Sequence, residues 1–161
     1  MRNKRIYCYV AALALAVNLT ACSADSGITK KSYTYSVESS DKIRIVINDD
    51  LSLSDNHDGT FSILKTNQSG NQITAAAGSF YEADYFDTLH ALAESSSSYS
   101  LLDDRPESFI YTVFKDGGWK TDCVVRLLDS DTSVVMSSSL DSEEAKDLYD
   151  KIVFSIVSDA G

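Results

Sequence analysis

The chain has 161 residues, and its 14 Lys and Arg stand against 24 Asp and Glu, a formal net charge of −10 at pH 7. A surface this acidic repels nucleic acid, whose binding rests on neutralising phosphates with Lys and Arg, and charge alone gives it no hold on anionic lipid. Three cysteines in a chain of this size leave an ordinary hydrophobic core, not a disulfide framework, as the source of stability.

The first elements in chain order are those of an export signal. Arg2, Lys4 and Arg5 make a basic start, and residues 6–17 (IYCYVAALALAV) carry no charge. Leu19-Thr20-Ala21-Cys22 closes the segment. That tetrapeptide resembles the lipobox of bacterial lipoproteins. The resemblance implies cleavage between Ala21 and Cys22, with Thr20 and Ala21 as the small residues the peptidase needs. It also implies a diacylglyceryl thioether on the Cys22 sulfur, with or without a further acyl group on its amine. One acyl chain anchors marginally, whereas two or three on one cysteine hold durably. A membrane-spanning helix needs about 20 apolar residues, and the run ending at Ala21 is shorter and interrupted by Asn18 and Thr20.

Residues 1–21 are therefore expected to be a signal peptide, leaving one domain's length of chain. Losing Arg2, Lys4 and Arg5 makes that remainder more acidic still. The expected address is the cell membrane or outer membrane, with the protein held by lipid and facing outside the cytoplasm. Ser23 refines this: in a two-membrane cell, the resemblance to sorted lipoproteins implies the outer membrane. Residues 22–32 are polar and aperiodic and read as an acylated N-terminus and tether, in which Lys30 and Lys31 favour lipid headgroups weakly.

The folded domain is expected over residues 33–158. Residues 33–37 alternate, and Ile43, Ile45 and Ile47 mark one face of a strand. Leu51 and Leu53 make a short strand before Asp55-Asn56-His57-Asp58-Gly59, a turn signal. Residues 60–65 and 72–77 read as a hairpin around Asn67 to Asn71. The period then changes: Tyr85, Phe86, Leu89, Leu92 and Ala93 give an amphipathic helix of about twelve residues from Glu82. Strands resume at 99–102, at 109–115 and 119–128 around Asp116-Gly117-Gly118, and at 132–138. A last helix is expected from Ser142 to about Val157, N-capped by Asp141 with Glu144 completing a capping box. Its apolar stripe is Ala145, Leu148, Tyr149, Ile152 and Ile156. The fold class expected is α+β, an antiparallel β-sheet with two helices packed on it.

The run from Ile43 through the Asp58-Gly59 turn, a hairpin, an acidic helix, the hairpin over residues 109–128 and the closing Leu148, Ile152 and Ile156 stripe resembles PsbP-like domains. These recur in small bacterial lipoproteins as well as in photosystem auxiliary subunits. The likeness covers roughly residues 41–157 and rests on element order and hydrophobic pattern. It implies an antiparallel sheet between helical layers, and it carries over no site residue.

Residues 54–65 have the outline of a calcium loop, but Ser54 stands first and Lys65 stands where a bidentate Glu is required, so a hairpin turn is expected. His57 and His90 are the only histidines, too few for a metal site without further ligands. The acidic pairs Asp49/Asp50 and Asp103/Asp104 meet the residue requirement of a glycosidase, yet both stand at expected strand ends, where Asp serves turns. Cys123 alternates with Trp119, Thr121, Val125 and Leu127, with Lys120 and Arg126 on the other face, and reads as a buried inert thiol. Tyrosine suits recognition surfaces, although most of those outside the signal alternate into expected strands. No catalytic residue, cofactor or metal is expected. The function expected is a non-enzymatic binding module for a protein or cell-envelope ligand, with an accessory factor of a membrane complex as runner-up and a hydrolase as third.

Overall fold

The computed structural model describes residues 30–36, 42–115 and 119–157. Cys22, Ala21 and the whole export signal lie outside the described residues, as do the Asp116-Gly117-Gly118 turn and Val37. The described elements are β1 (Lys30–Ser36), β2 (Lys42–Asn48), β3 (Leu51–Asp55), β4 (Thr60–Thr66), β5 (Gln72–Glu82), α1 (Asp84–Ser95), β6 (Tyr99–Arg105), β7 (Ser108–Lys115), β8 (Trp119–Leu127), β9 (Thr132–Ser138), α2 (Ser142–Asp150) and β10 (Val153–Val157). The class is α+β, with antiparallel strands and two helices.

The strands divide into two sheets, ordered β1-β2-β10 and β3-β4-β5-β9-β8-β7-β6. Strict alternation in the long hairpins gives the larger sheet two apolar faces. Ile110, Val124, Val134 and Met136 face one core, shared with Ile43, Ile45 and Ile47 of β2 and with Ala145, Leu148 and Tyr149 of α2. Phe109, Tyr111, Cys123 and Val125 face the other, closed by Phe86 and Ala93 of α1. The three-stranded sheet and α2 therefore cover one face, and α1 covers the opposite one.

Two irregularities shape the larger sheet. The β4–β5 register shifts between Ile63 and Leu64, so that Ala75 lacks a partner opposite it and both Ala75 and Ala76 are buried. A bulge of this kind leaves a carbonyl outside the ladder, and the Ser138 hydroxyl donates to the Ala75 carbonyl at 2.6 Å. Further along β5, Gly78 lies under the Phe61 ring. Phe61 belongs to an aromatic cluster with Tyr35, Phe80 and Phe154, ring centroids 5.2–6.2 Å apart.

The expected closing helix is corrected. Helix α2 ends at Asp150, and Val153–Val157 form β10, paired antiparallel with β2 from Val153 opposite Val46 to Val157 opposite Lys42. The Leu148, Ile152 and Ile156 spacing fits a helix, but Val153, Phe154, Ile156 and Val157 are all β-branched or aromatic and fit a strand as well. Pairing with β2 decides between them. Half of the expected capping box forms: the Asp141 carboxylate accepts from the Glu144 N–H at 3.0 Å, while the Glu144 carboxylate lies 3.6 Å from Lys65 Nζ. At the other end of the chain, β1 starts at Lys30, so residues 30–32, read as the end of a tether, are paired strand.

Candidate functional site

A groove of about 440 Å3 opens where the two sheets meet, between the start of β10 and the adjoining ends of β7 and β8. Its walls are Val153 and Phe154 on one side and Ser108, Leu127 and Leu128 on the other. The β6–β7 turn is held against β8 by the Leu127 N–H, which donates to the Glu107 carbonyl at 2.9 Å, and this sets Glu107 on the rim. Asp150, the last residue of α2, also lines the groove and is exposed.

Arg126 lines the groove. It alternates with Val124 on the face that packs under α2, and its guanidinium reaches the end of that helix. Nη1 donates to the Ile152 carbonyl at 2.7 Å and Nη2 to the Tyr149 carbonyl at 2.8 Å. Carbonyls at a helix C-terminus lack intrahelical donors and carry partial negative charge, so a forked cation suits them. Burial pulls the Arg126 pKa below its ordinary value, partly offset by the nearby Asp150 carboxylate. The groove is thus lined by a mixture of apolar side chains, a cation whose hydrogen bonds go to its own backbone, and two carboxylates.

The residues singled out in the sequence are dispersed. His57 stands in the β3–β4 turn at φ +60°, with Nδ1 2.7 Å from Asp55 Oδ2, its ring in solvent and the Asp55 side chain buried. The Asp58 carboxyl is held below the usual range by the Thr60 hydroxyl at 2.6 Å and the Thr60 N–H at 3.0 Å. The turn's own hydrogen bonds engage these groups, as expected for a hairpin connection. His90, on α1, reaches β6 with Nε2 2.9 Å from Asp104 Oδ1 and has Nδ1 3.6 Å from Glu94, its ring perpendicular to that of Phe109. Asp103 pairs with Arg105 at 2.8 Å. The Asp103/Asp104 pair was expected at a strand end by turn preference; it lies inside β6, and the two side chains go to opposite faces. Asp49 and Asp50 occupy the β2–β3 turn, with Asp50 4.0 Å from Lys151. Lys31, assigned weakly to headgroups, donates through Nζ to the Asp49 and Leu51 carbonyls. Cys123 is buried against Tyr111, whose hydroxyl pKa is pushed up by burial first and by the thiol second.

Sequence reasoning missed two interior features. Asp122 is buried under α2, where its carboxylate accepts from the Thr112 hydroxyl and its carbonyl accepts from the Tyr149 hydroxyl at 2.6 Å. The Tyr35 hydroxyl is buried without a hydrogen-bond partner among the described residues, and burial, then the Asp55 and Asp58 charges, raises its pKa to about 12. Among the described residues no group of His, Cys, Asp and Glu is arranged to hold a metal ion, and no helix is long and apolar enough to cross a membrane. Comparison with family models, with curated proteins and with solved structures returned no match to this chain.

Proposed function

We propose that the protein is a bacterial lipoprotein, held at a membrane surface by lipid on Cys22 and facing outside the cytoplasm, whose domain is a non-enzymatic binding module for a protein or cell-envelope ligand. The observation that carries the address is the order of the basic start, the uncharged run and Leu19-Thr20-Ala21-Cys22. The binding role is supported by the groove beside β10, whose lining mixes apolar side chains with charged ones. Such a mixture suits holding a ligand in one orientation.

Metabolic labelling with an alkyne fatty acid tests the address. The wild-type chain takes up label and matures, whereas Cys22→Ser stays unprocessed and unlabelled; normal maturation of that variant sinks the assignment. Capture of the acylated protein from its own membrane tests the role. Co-purification of a stoichiometric partner supports a binding module, and turnover of an envelope substrate with no partner recovered overturns it.

A further inference from the structure

Pairing sorts the side chains of the three-stranded sheet between two faces, because residues opposite each other in a ladder point the same way. Tyr33, Tyr35, Ile43, Ile45 and Ile47 are buried against the main core. The other face is turned outward. Lys30 of β1 stands there with Lys42, Arg44 and Val46 of β2 and with Val153 and Ser155 of β10, Val46 opposite Val153 and Arg44 opposite Ser155. None of the described residues of this face is acidic, in a chain whose net charge is −10. Lys30 and Arg44 are exposed, and neither makes an ion pair or a side-chain hydrogen bond among the described residues. Lys31, one position along, points to the other side and gives its ammonium to the Asp49 and Leu51 carbonyls.

We propose that this outer face lies against the anionic headgroups of the membrane that carries the Cys22 lipid, with Lys30 and Arg44 meeting lipid phosphate. The proposal rests on the lipid address given above and fixes how the domain sits on its anchor. The lipid does the holding, and charge selects the orientation. A cation close to an anionic leaflet is favoured about fivefold, whereas the acidic faces are repelled. Helix α1, on the far side of the larger sheet, carries Asp84, Asp87 and Glu94 and no Lys or Arg. Helix α2 carries four carboxylates and one lysine, but it leads into β10, whereas the cations stand on β1 and β2. The length of the tether agrees. Cys22 stands eight residues before Lys30, a reach of at most about 29 Å, and Lys30 begins the first strand of this face. The chain from the lipid therefore enters the domain at the face that the charges turn toward the membrane. A second copy of this chain would set Lys30 and Arg44 against the same cations.

The test places the full-length acylated protein in phospholipid nanodiscs that include a lipid with gadolinium at its headgroup, and reads paramagnetic relaxation of the backbone amides by NMR. Mass spectrometry of Cys22 is run on the same sample. With phosphatidylglycerol in the disc, relaxation should be strongest at residues 32–34 and 42–46 and weakest in α1. Residue 42 is decisive: it stands opposite Ser36, about 20 Å along β1 from Lys30, so its relaxation reports a face lying flat and not mere nearness to the tether. Arg44→Gln with Lys30→Gln, both at exposed positions, should lower the preference for this face by about fivefold for each charge removed. Replacing phosphatidylglycerol with phosphatidylcholine should lower it too, as should high salt. Relaxation that is uniform around the domain, or strongest in another element, overturns the proposal. So does a preference that is unchanged in phosphatidylcholine or in the double variant, and so does one that follows protein density in the disc, which would assign the face to a second copy. A Cys22 without lipid removes the address and this orientation together, whereas lipid on Cys22 with relaxation elsewhere removes the orientation alone.

Discussion

Gly78 shows how closely the core constrains one position. A Cβ built there would lie 2.5 Å from Phe61 Cζ and 2.7 Å from Met136 Cγ, inside van der Waals contact with two side chains that are themselves fully buried. Phe61 is wedged among Tyr35, Phe80 and Phe154 and has little room to yield. Gly78→Ala is therefore expected to destabilise the fold by about 1–3 kcal/mol, the usual cost of overpacking. Urea unfolding followed by circular dichroism reads this as a lowered midpoint at unchanged slope. A midpoint at or above that of the wild type would mean that the ring has somewhere to go. The sequence marks Gly78 only as the point where the strand period gives out, because the ring above it comes from β4, seventeen residues earlier.

At the scale of elements, α2 and β10 are separated by a single turn whose stability depends on β8. The Lys151 N–H returns to the Leu148 carbonyl, and Arg126 takes the Tyr149 and Ile152 carbonyls. Lysine in place of Arg126 keeps the charge but lacks the planar fork that serves two carbonyls at once. Arg126→Lys should cost about 1–2 kcal/mol and should loosen the start of β10 first, seen as faster amide exchange at residues 152–154 than at residues 109–113. Uniform change across both segments would place the effect in global stability instead. This link also explains why local sequence points to a longer last helix than the one that forms. Local spacing at Leu148, Ile152 and Ile156 supports a helix, and the two facts that end it, Arg126 and the free edge of β2, lie 23 or more residues away in the chain. The β3–β4, β7–β8 and β8–β9 hairpins, by contrast, are legible, since their partners are sequence neighbours, whereas the β6–β7 hairpin is not, its first strand being expected to stop at residue 102. The groove was not legible at all, because it is made where β7, β8 and β10 converge.

For the whole molecule, the buried tyrosines set an alkaline limit. Burial raises the Tyr35 pKa to about 12 and pushes those of Tyr111 and Tyr149 higher still. A phenol whose folded pKa exceeds its unfolded value contributes stability in full below the unfolded pKa of about 10, and that contribution is lost as pH rises toward the folded pKa. From neutral pH upward, stability should therefore hold to about pH 10 and fall beyond it, with phenolate absorbance of the buried rings appearing together with unfolding. Tyr149→Phe removes one of the three titrations and should shallow the decline, although it also forfeits the hydrogen bond to the Asp122 carbonyl. A decline that begins near neutral pH would point to other groups.

The pairing of β2 has a consequence in time. Its two neighbours are β1, immediately before it, and β10, which begins more than a hundred residues later at Val153. Until that last strand arrives, β2 has one open edge, and Ile43 and Ile45 lose the cover that Phe154 and Ile156 give them. Contacts of such separation form late and slowly. A nascent chain can assemble the β7–β8 and β8–β9 hairpins from local sequence, yet it remains incompletely closed until residues 153–157 have emerged. The domain is thus built to finish folding from its two ends, and a chain cut short before β10 would carry its main core half open.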